Sequence, residues 1–543
     1  MSKSPNHTFS YVLVALVAAF IGVVLGATYE QNRSAGNNLG LPDFALSGNQ
    51  KLDKILRVIK TNYVDSVNTD SLQALAIDDI LSSLDPHTVY LPPKQAKSQN
   101  EDLEGNFDGI GIEYFVLNDT VLVTSVRKAG PSAKAGLLPG DKIIAVNGEK
   151  LLVKGDTDRA VNKLRGKSGS KVNVAVLRNG HNKPISLDIE RGRIVVSSID
   201  VALMLRPGIG FIKISRFGAN TAEDFAAQLN ALQKKGMKSL ILDLRGNGGG
   251  YLNAATALAD QFLPDNQLIV YTQGLHEPRT DYRATADGSF QKGDLVILID
   301  EGTASASEIL AGAMQDLDRG WIIGRRSFGK GLVQEQFGFP DGSAMNLTIA
   351  RYYTASGRSI QKSYAKGKEN YKEELSRRFK HGDYVSLDSA LSDSSFLSRQ
   401  VKYKTLKGRT VYGGGGIMPD VFVPFDTTGF SAFYKKVSAK GLVQGFVYAK
   451  LINAVTPNRF KSAAAFKEEF HFGEQDYQKF LSYCASKEVI GDKKDVKTSR
   501  HLLESQIKAV LARYYFGEEG FCTITSTYDD FINAALAKLQ EAV

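Results

Sequence analysis

The tightest constraint on the fold lies between residues 193 and 424, where apolar strand runs (GFIKI, SLILDL, LVILID, WIIG) alternate with runs of helical period over 222–235, 253–262 and 307–317. Such alternation is the pattern of an α/β core, with strands side by side and helices laid over them. Three of the strand runs end in small residues: Asp243-Leu244-Arg245-Gly246-Asn247-Gly248-Gly249-Gly250, Gly302-Thr303-Ala304-Ser305-Ala306-Ser307-Glu308, and Gly324-Arg325-Arg326-Ser327-Phe328-Gly329-Lys330-Gly331. α/β sheets present their sites at the carboxyl ends of strands, so chemistry is expected at these junctions. The second junction predicts Ser305 at a helix N-terminus, where free N–H groups stabilise a developing negative charge.

A chain of 543 residues has room for three or four such units. With 43% hydrophobic and 23% charged residues it is neither collagen-like, nor fully disordered, nor a multi-span membrane protein. Residues 1–10 are read as a cytoplasmic N-terminus. Tyr11 to Ala27 (YVLVALVAAFIGVVLGA) is almost wholly apolar, long enough to span a bilayer, and preceded by Lys3. It is read as a signal anchor that leaves the rest of the chain outside the cytoplasm; a cleaved signal peptide and a soluble periplasmic protein is the alternative. Residues 28–48 read as a linker and 49–103 as helical, with apolar positions such as Leu52, Ile55, Leu56 and Ile59 near helical spacing. Short β-rich runs split by Gly, Pro and Asn make 104–192 a small β-domain. The α/β core takes 193–427, with a polar insertion at 364–410 expected to be a surface excursion. Apolar stripes (Leu502, Leu503, Ile507, Val510, Leu511; Phe531, Ile532, Leu536, Leu539) make 428–543 a helical C-terminal domain.

Several chemistries are disfavoured. A net charge of +9 spread over the whole chain, with no basic block, is not a nucleic-acid footprint. Gly324, four residues, then Gly329-Lys330 nearly satisfies the phosphate-binding loop, but Gly331 stands where a magnesium-holding hydroxyl is needed, and a strand-like LVQEQF follows instead of a helix. Cys484 and Cys522 lack metal-site spacing; in an exported domain they leave room for one disulfide. The seven histidines are scattered, and His87, in a turn after Asp85-Pro86, is read as structural. No cofactor and no metal are expected.

Together the three junctions resemble the carboxyl-terminal processing peptidases, or tail-specific proteases, which use a serine–lysine dyad. The likeness covers about residues 50 to 424. It takes in Leu84-Asp85-Pro86-His87-Thr88, Asp341-Gly342-Ser343, Ile349-Ala350-Arg351-Tyr352-Tyr353, Ser356-Gly357-Arg358-Ser359-Ile360-Gln361 and Gly416-Ile417-Met418-Pro419-Asp420. The resemblance implies Ser305 as nucleophile, with Ser307 the runner-up, Lys330 as general base and Gln334 as the partner that holds the lysine amine. It implies an oxyanion hole from the N–H groups of Ala306 and of Gly250, chosen over Gly249. These residue types suit the chemistry, because a serine needs a proton acceptor and a lysine can serve only if its amine is kept neutral.

Phe107-Asp108-Gly109-Ile110-Gly111-Ile112 resembles the carboxylate-binding loop of PDZ domains, which hold a peptide terminus while the peptide adds as a strand. The likeness implies that Gly109, Ile110, Gly111 and Ile112 bind protein or peptide substrates by their C-termini. Arg165 aligns with an arginine that in some relatives senses substrate occupancy. The function implied is a membrane-tethered extracytoplasmic serine endopeptidase, with the inner membrane as a partner through the N-terminal helix and no nucleic acid. A homo-oligomer or an adaptor stays open. The competing reading is a catalytically silent PDZ scaffold or adaptor in the periplasm; a small-ligand binder lacks any stripe of aromatics.

Overall fold

The computed structural model describes residues 51–117, 119–153, 156–392, 401–452 and 459–541. The apolar run Tyr11 to Ala27 and the linker lie outside the described residues; among the described residues no helix is long and apolar enough to cross a membrane. The chain divides into two compact units, Met1–Asp79 and Ile80–Val543. In the first, the described residues form the helix Lys51–Asn62 and most of the helix Thr69–Ser82.

In the second unit the β-domain is an antiparallel sheet in the order Ile112–Leu117, Thr120–Val126, Lys142–Val146, Lys171–Leu177, Ile185–Glu190. Alternating valines, Val172, Val174 and Val176, point to one core shared with Val121, Val123, Ile143 and Ile189, and the helix Thr157–Leu164 closes it with Ala160 and Leu164. Asp141, fully buried, is gripped by Arg178 through two bonds of 2.7 Å.

The α/β core is a six-stranded sheet in the order Ile199–Arg206, Ile209–Ile214, Ser239–Asp243, Asp294–Ile299, Trp321–Gly324, Val421–Phe422. All pairings after the first are parallel. A parallel sheet must be covered on both faces, which is why its strands read as unbroken apolar runs. One face (Ile212, Leu240, Leu242, Ile297, Ile322) packs on the helices Thr221–Lys234, Leu252–Asp260 and Ala306–Asp316. The other face (Phe211, Ile241, Val296, Leu298, Ile323) packs on Ile532, Ala535, Leu536 and Leu539 of the last helix, Asp530–Glu541. In a second, antiparallel sheet Leu332–Gly338 pairs with Ala344–Thr354, and Leu332 follows directly on the Gly324–Gly331 loop.

Two sequence expectations change. The segment 364–410 is not merely a surface excursion: Tyr371 and Arg378 are buried, and Arg378 donates to the Ser327 carbonyl in the lysine loop (2.8 Å). Helical period hides this anchoring, because the insertion packs through polar groups. The two cysteines do not form a disulfide; Cys484 lies in the core of the C-terminal helices and Cys522 against the sheet, both free and buried, and burial pushes both thiols up to about 12.

Candidate active site

Three loops leave the carboxyl ends of the parallel strands and meet in a cleft of about 640 Å³ lined by Gly248, Gly249, Gly250, Ser305, Ala306, Lys330, Gln334, Tyr352 and His87, among others. Ser305 caps the helix Ala306–Asp316 with φ 57° and ψ −118°. An L residue takes such a backbone only where its surroundings enforce it. Gly249 lies flat against this turn: a Cβ there would stand 2.8 Å from Ser305 Cβ and 2.9 Å from Ala306 N. Gly250, at φ 145°, lies so close to Phe217 that a Cβ would meet its carbonyl oxygen at 2.0 Å.

The hydrogen bonds separate the two glycines. Gly249 N–H donates to Asn247 Oδ1 (2.9 Å). Among the described residues the N–H groups of Gly250 and Ala306 have no protein acceptor. Two unspent donors beside a serine are what a developing oxyanion needs. Ser307 differs from Ser305: it is fully buried and its hydroxyl donates to the Asn247 carbonyl (2.9 Å).

Burial pushes the Lys330 amine below its ordinary range, against the opposing pull of the Asp85 and Glu308 carboxylates. No hydrogen bond joins Lys330 Nζ to the Ser305 hydroxyl or to Gln334 among the described residues. Gln334 instead donates to Thr348 Oγ1 (3.1 Å), its direct cross-strand partner. In this structure the Nε2 of Gln334 is spent on Thr348 across the strand pair, while among the described residues its Oε1 has no donor and is left for the amine. Catalytic hydrogen bonds often tighten only when substrate fills the cleft.

Two residues that the sequence reading passed over hold Ser305 and Lys330 together. Glu308 is fully buried, and its carboxylate accepts the N–H groups of Ser305 (2.9 Å), Gly329 (2.7 Å) and Lys330 (2.9 Å) and the Ser327 hydroxyl (2.5 Å). Burial pushes its acidity weaker, and the four donors pull the other way. Ser305-x-x-Glu308 has the spacing of a capping box, a signal legible in the sequence. Tyr352, also buried, points its hydroxyl at the carbonyls of Lys330 (2.6 Å) and Ser305 (3.1 Å).

His87 stands on the cleft wall, its Nε2 2.7 Å from the Tyr371 hydroxyl. Burial, then the positive charge of Lys330, lowers its pKa to about 4, so at neutral pH it is an uncharged part of the wall. Asp85 braces this turn by accepting His87 N–H (2.7 Å) and the Thr88 N–H and hydroxyl (2.9 and 2.6 Å).

In the β-domain, Gly109 ends a strand paired with Gly192–Val195 and Ile112 begins the sheet's edge strand. Between them Gly111 has φ 75°, and among the described residues the N–H groups of Ile110 and Gly111 have no protein acceptor. Arg165, just past the helix Thr157–Leu164, stacks on Phe107 (4.3 Å to the ring centre) and pairs with Glu101 (2.9 Å). Glu101 shares the helix Pro93–Glu104 with Gln99, Asn100 and Leu103, which line the cleft.

Comparison with known proteins gives this arrangement relatives. Residues 208–368 match peptidase family S41, residues 109–189 match the PDZ domain, and residues 433–517 match a family of unknown function. The chain is 37% identical to the carboxy-terminal processing protease CtpB of Bacillus subtilis over 58% of its own length and 65% of that protein's, just under two thirds. With the carboxy-terminal processing protease CtpA of the same organism it shares 35% identity over 65% of this chain and 74% of the relative. A solved structure described as the PDZ domain of a carboxy-terminal protease from Vibrio cholerae in complex with peptide is 31% identical, covering 17% of this chain and 99% of that one, at a TM-score of 0.16. With the S41 match falling on all three active-site loops and the likeness to CtpA running through three quarters of that protein, this multidomain α/β chain belongs to peptidase family S41, as a carboxy-terminal processing peptidase of the serine type with a PDZ domain.

Proposed function

We propose that this chain is an endopeptidase that captures protein C-termini on its PDZ domain and cleaves peptide bonds through a Ser305–Lys330 dyad. The observation that carries the reading is the single cleft that brings Ser305, a half-buried lysine whose amine is held below its ordinary pKa by desolvation, and two unspent N–H donors together. Ser305 Oγ attacks the peptide carbonyl while Lys330 takes its proton, and the N–H groups of Ala306 and Gly250 hold the oxyanion. Lys330 then passes the proton to the departing amine, leaving an acyl-enzyme; a water deprotonated by Lys330 attacks the ester, and the lysine returns that proton to Ser305 Oγ as the acyl bond breaks. Gln334, on the same cleft wall, orients the amine through its Oε1, which the bond to Thr348 leaves free. Every proton is carried by a side chain of this chain, so chelators should leave the rate unchanged.

Among the described residues the strand Ile112–Leu117 pairs on one side only, which favours a peptide adding as a further strand with its carboxylate on the N–H groups of Ile110 and Gly111. Arg165 couples that site to the cleft through Glu101. The Tyr11 to Ala27 run supports a single-pass inner-membrane anchor, with the remaining domains outside the cytoplasm.

The test follows cleavage of an unfolded reporter with an apolar C-terminal tail, comparing the parent with Ser305→Ala and Lys330→Ala, with and without chelator. Loss in both variants and indifference to chelator are expected. A parent that cleaves nothing returns the scaffold reading, and full activity in either variant removes the dyad.

A further inference from the structure

The head of the last helix does more than cover the sheet. Asp529 caps it, its Oδ1 accepting the N–H groups of Phe531 (3.0 Å) and Ile532 (3.2 Å). The same carboxylate pairs with Arg245 of the glycine loop: Nη1 to Oδ1 is 3.0 Å and Nη2 to Oδ2 is 2.9 Å. On its other side Arg245 is held by Asp243, at 2.8 Å from Nε and 2.7 Å from Nη2. Phe531 takes two guanidinium groups within cation–π distance, Arg245 at 4.6 Å and Arg325 at 4.9 Å from its ring centre. Arg325 opens the lysine loop, is buried, and pairs with Glu301 (2.9 Å). Gly324 beside it has no space for a side chain, since a Cβ would stand 2.0 Å from the Ile299 carbonyl oxygen and 2.8 Å from Phe531 Cε1.

Neither Asp529 nor Phe531 lines the cleft; the sheet's cover is made by Ile532, Ala535, Leu536 and Leu539, with Phe531 only partly buried at its margin. Asparagine would cap this helix as well as aspartate, so the carboxylate's pairing with Arg245 exceeds what capping asks. The two residues touch the two loops that carry Gly250 and Lys330, and they do so from the side away from substrate.

We propose that Asp529 and Phe531 are positioning residues, and that the last helix is a clasp holding the glycine loop and the lysine loop in register with each other. The effect on rate rests on the peptidase reading above; the effect on the loops does not.

The test uses the full chain with Asp529→Asn, which keeps the cap and removes the charge, and Phe531→Leu, which keeps apolar bulk and removes the ring. Amide hydrogen exchange is read over 244–250 and 324–331, together with the thermal midpoint, kcat and KM on the unfolded reporter. Asp529→Asn should speed exchange in the glycine loop alone, Phe531→Leu in both loops. In both variants kcat should fall about 10-fold with KM within about two-fold, the split expected when an interaction serves the transition state and not substrate binding. Asp529→Glu, still able to reach Arg245, should recover part of kcat. Unchanged exchange in both loops overturns the clasp, as does a kcat at the parent level in both variants of an active enzyme. A parent without cleavage sinks the peptidase reading instead, and the exchange pattern still decides the clasp.

Discussion

Glu308 shows how much a single buried carboxylate can organise. Each of its four donors is an N–H or O–H, so it must stay an acceptor on both oxygens. Glu308→Gln would turn one of them into an NH₂ group facing N–H donors. At roughly 1.5–3 kcal/mol per charged hydrogen bond, cleavage should fall about 10- to 100-fold while circular dichroism keeps the parent spectrum. Lys330 yields a second prediction at this scale, in which the sign matters. Its folded pKa lies below the ordinary value of about 10.4, so kcat/KM should rise with pH through the folded pKa and level off before that value. A limb at the ordinary lysine pKa would contradict burial of the amine. Between the folded and ordinary values the unfolded chain binds more protons, so the lysine's effect on stability also rises with pH there. Lys330→Met should accordingly abolish cleavage yet raise the thermal midpoint at neutral pH.

At the scale of elements, the geometry of the cleft depends on turns that only particular residues can make. Gly250 crosses over Phe217 with no space for a Cβ. Gly250→Ala should therefore lower the thermal midpoint and cut cleavage far more than Gly248→Ala, whose added methyl would meet nothing within 4 Å. Equal losses from the two, measured on the same reporter, would mean that close approach at Gly250 is unimportant. The Gln334 strand carries the complementary lesson. Its register against Ala344–Thr354 decides which acceptor the amide meets, and register is a property of paired strands that no single run of residues displays.

For the whole molecule, the C-terminal helices pack into both of the domains that precede them. They share a core with the β-domain through Leu122, and the last helix closes the second face of the parallel sheet. Leu536→Ala should cost about 2–5 kcal/mol, as a core leucine does, and should lower the unfolding midpoint of the α/β core itself. A change within about 0.5 kcal/mol by denaturant titration, the usual range for surface sites, would mean that the last helix adds nothing to the stability of the sheet.

What the sequence determined by itself was local or ordered along the chain. The strand and helix alternation, the helix start at Ser305 and the order of small-residue junctions are all written within a few residues of one another, and period and capping are short-range properties. Even Glu308 was within reach, through its capping-box spacing. The tertiary structure alone decided what meets across long separations. It spent the Gly249 N–H on Asn247, turned Gln334 toward Thr348, set His87 on the cleft wall, anchored the 364–410 insertion by buried polar groups, and brought Asp529 to Arg245. Hydrogen-bond partners and the second cover of a parallel sheet depend on three-dimensional packing, so a linear pattern can announce that they are required without naming which residues supply them.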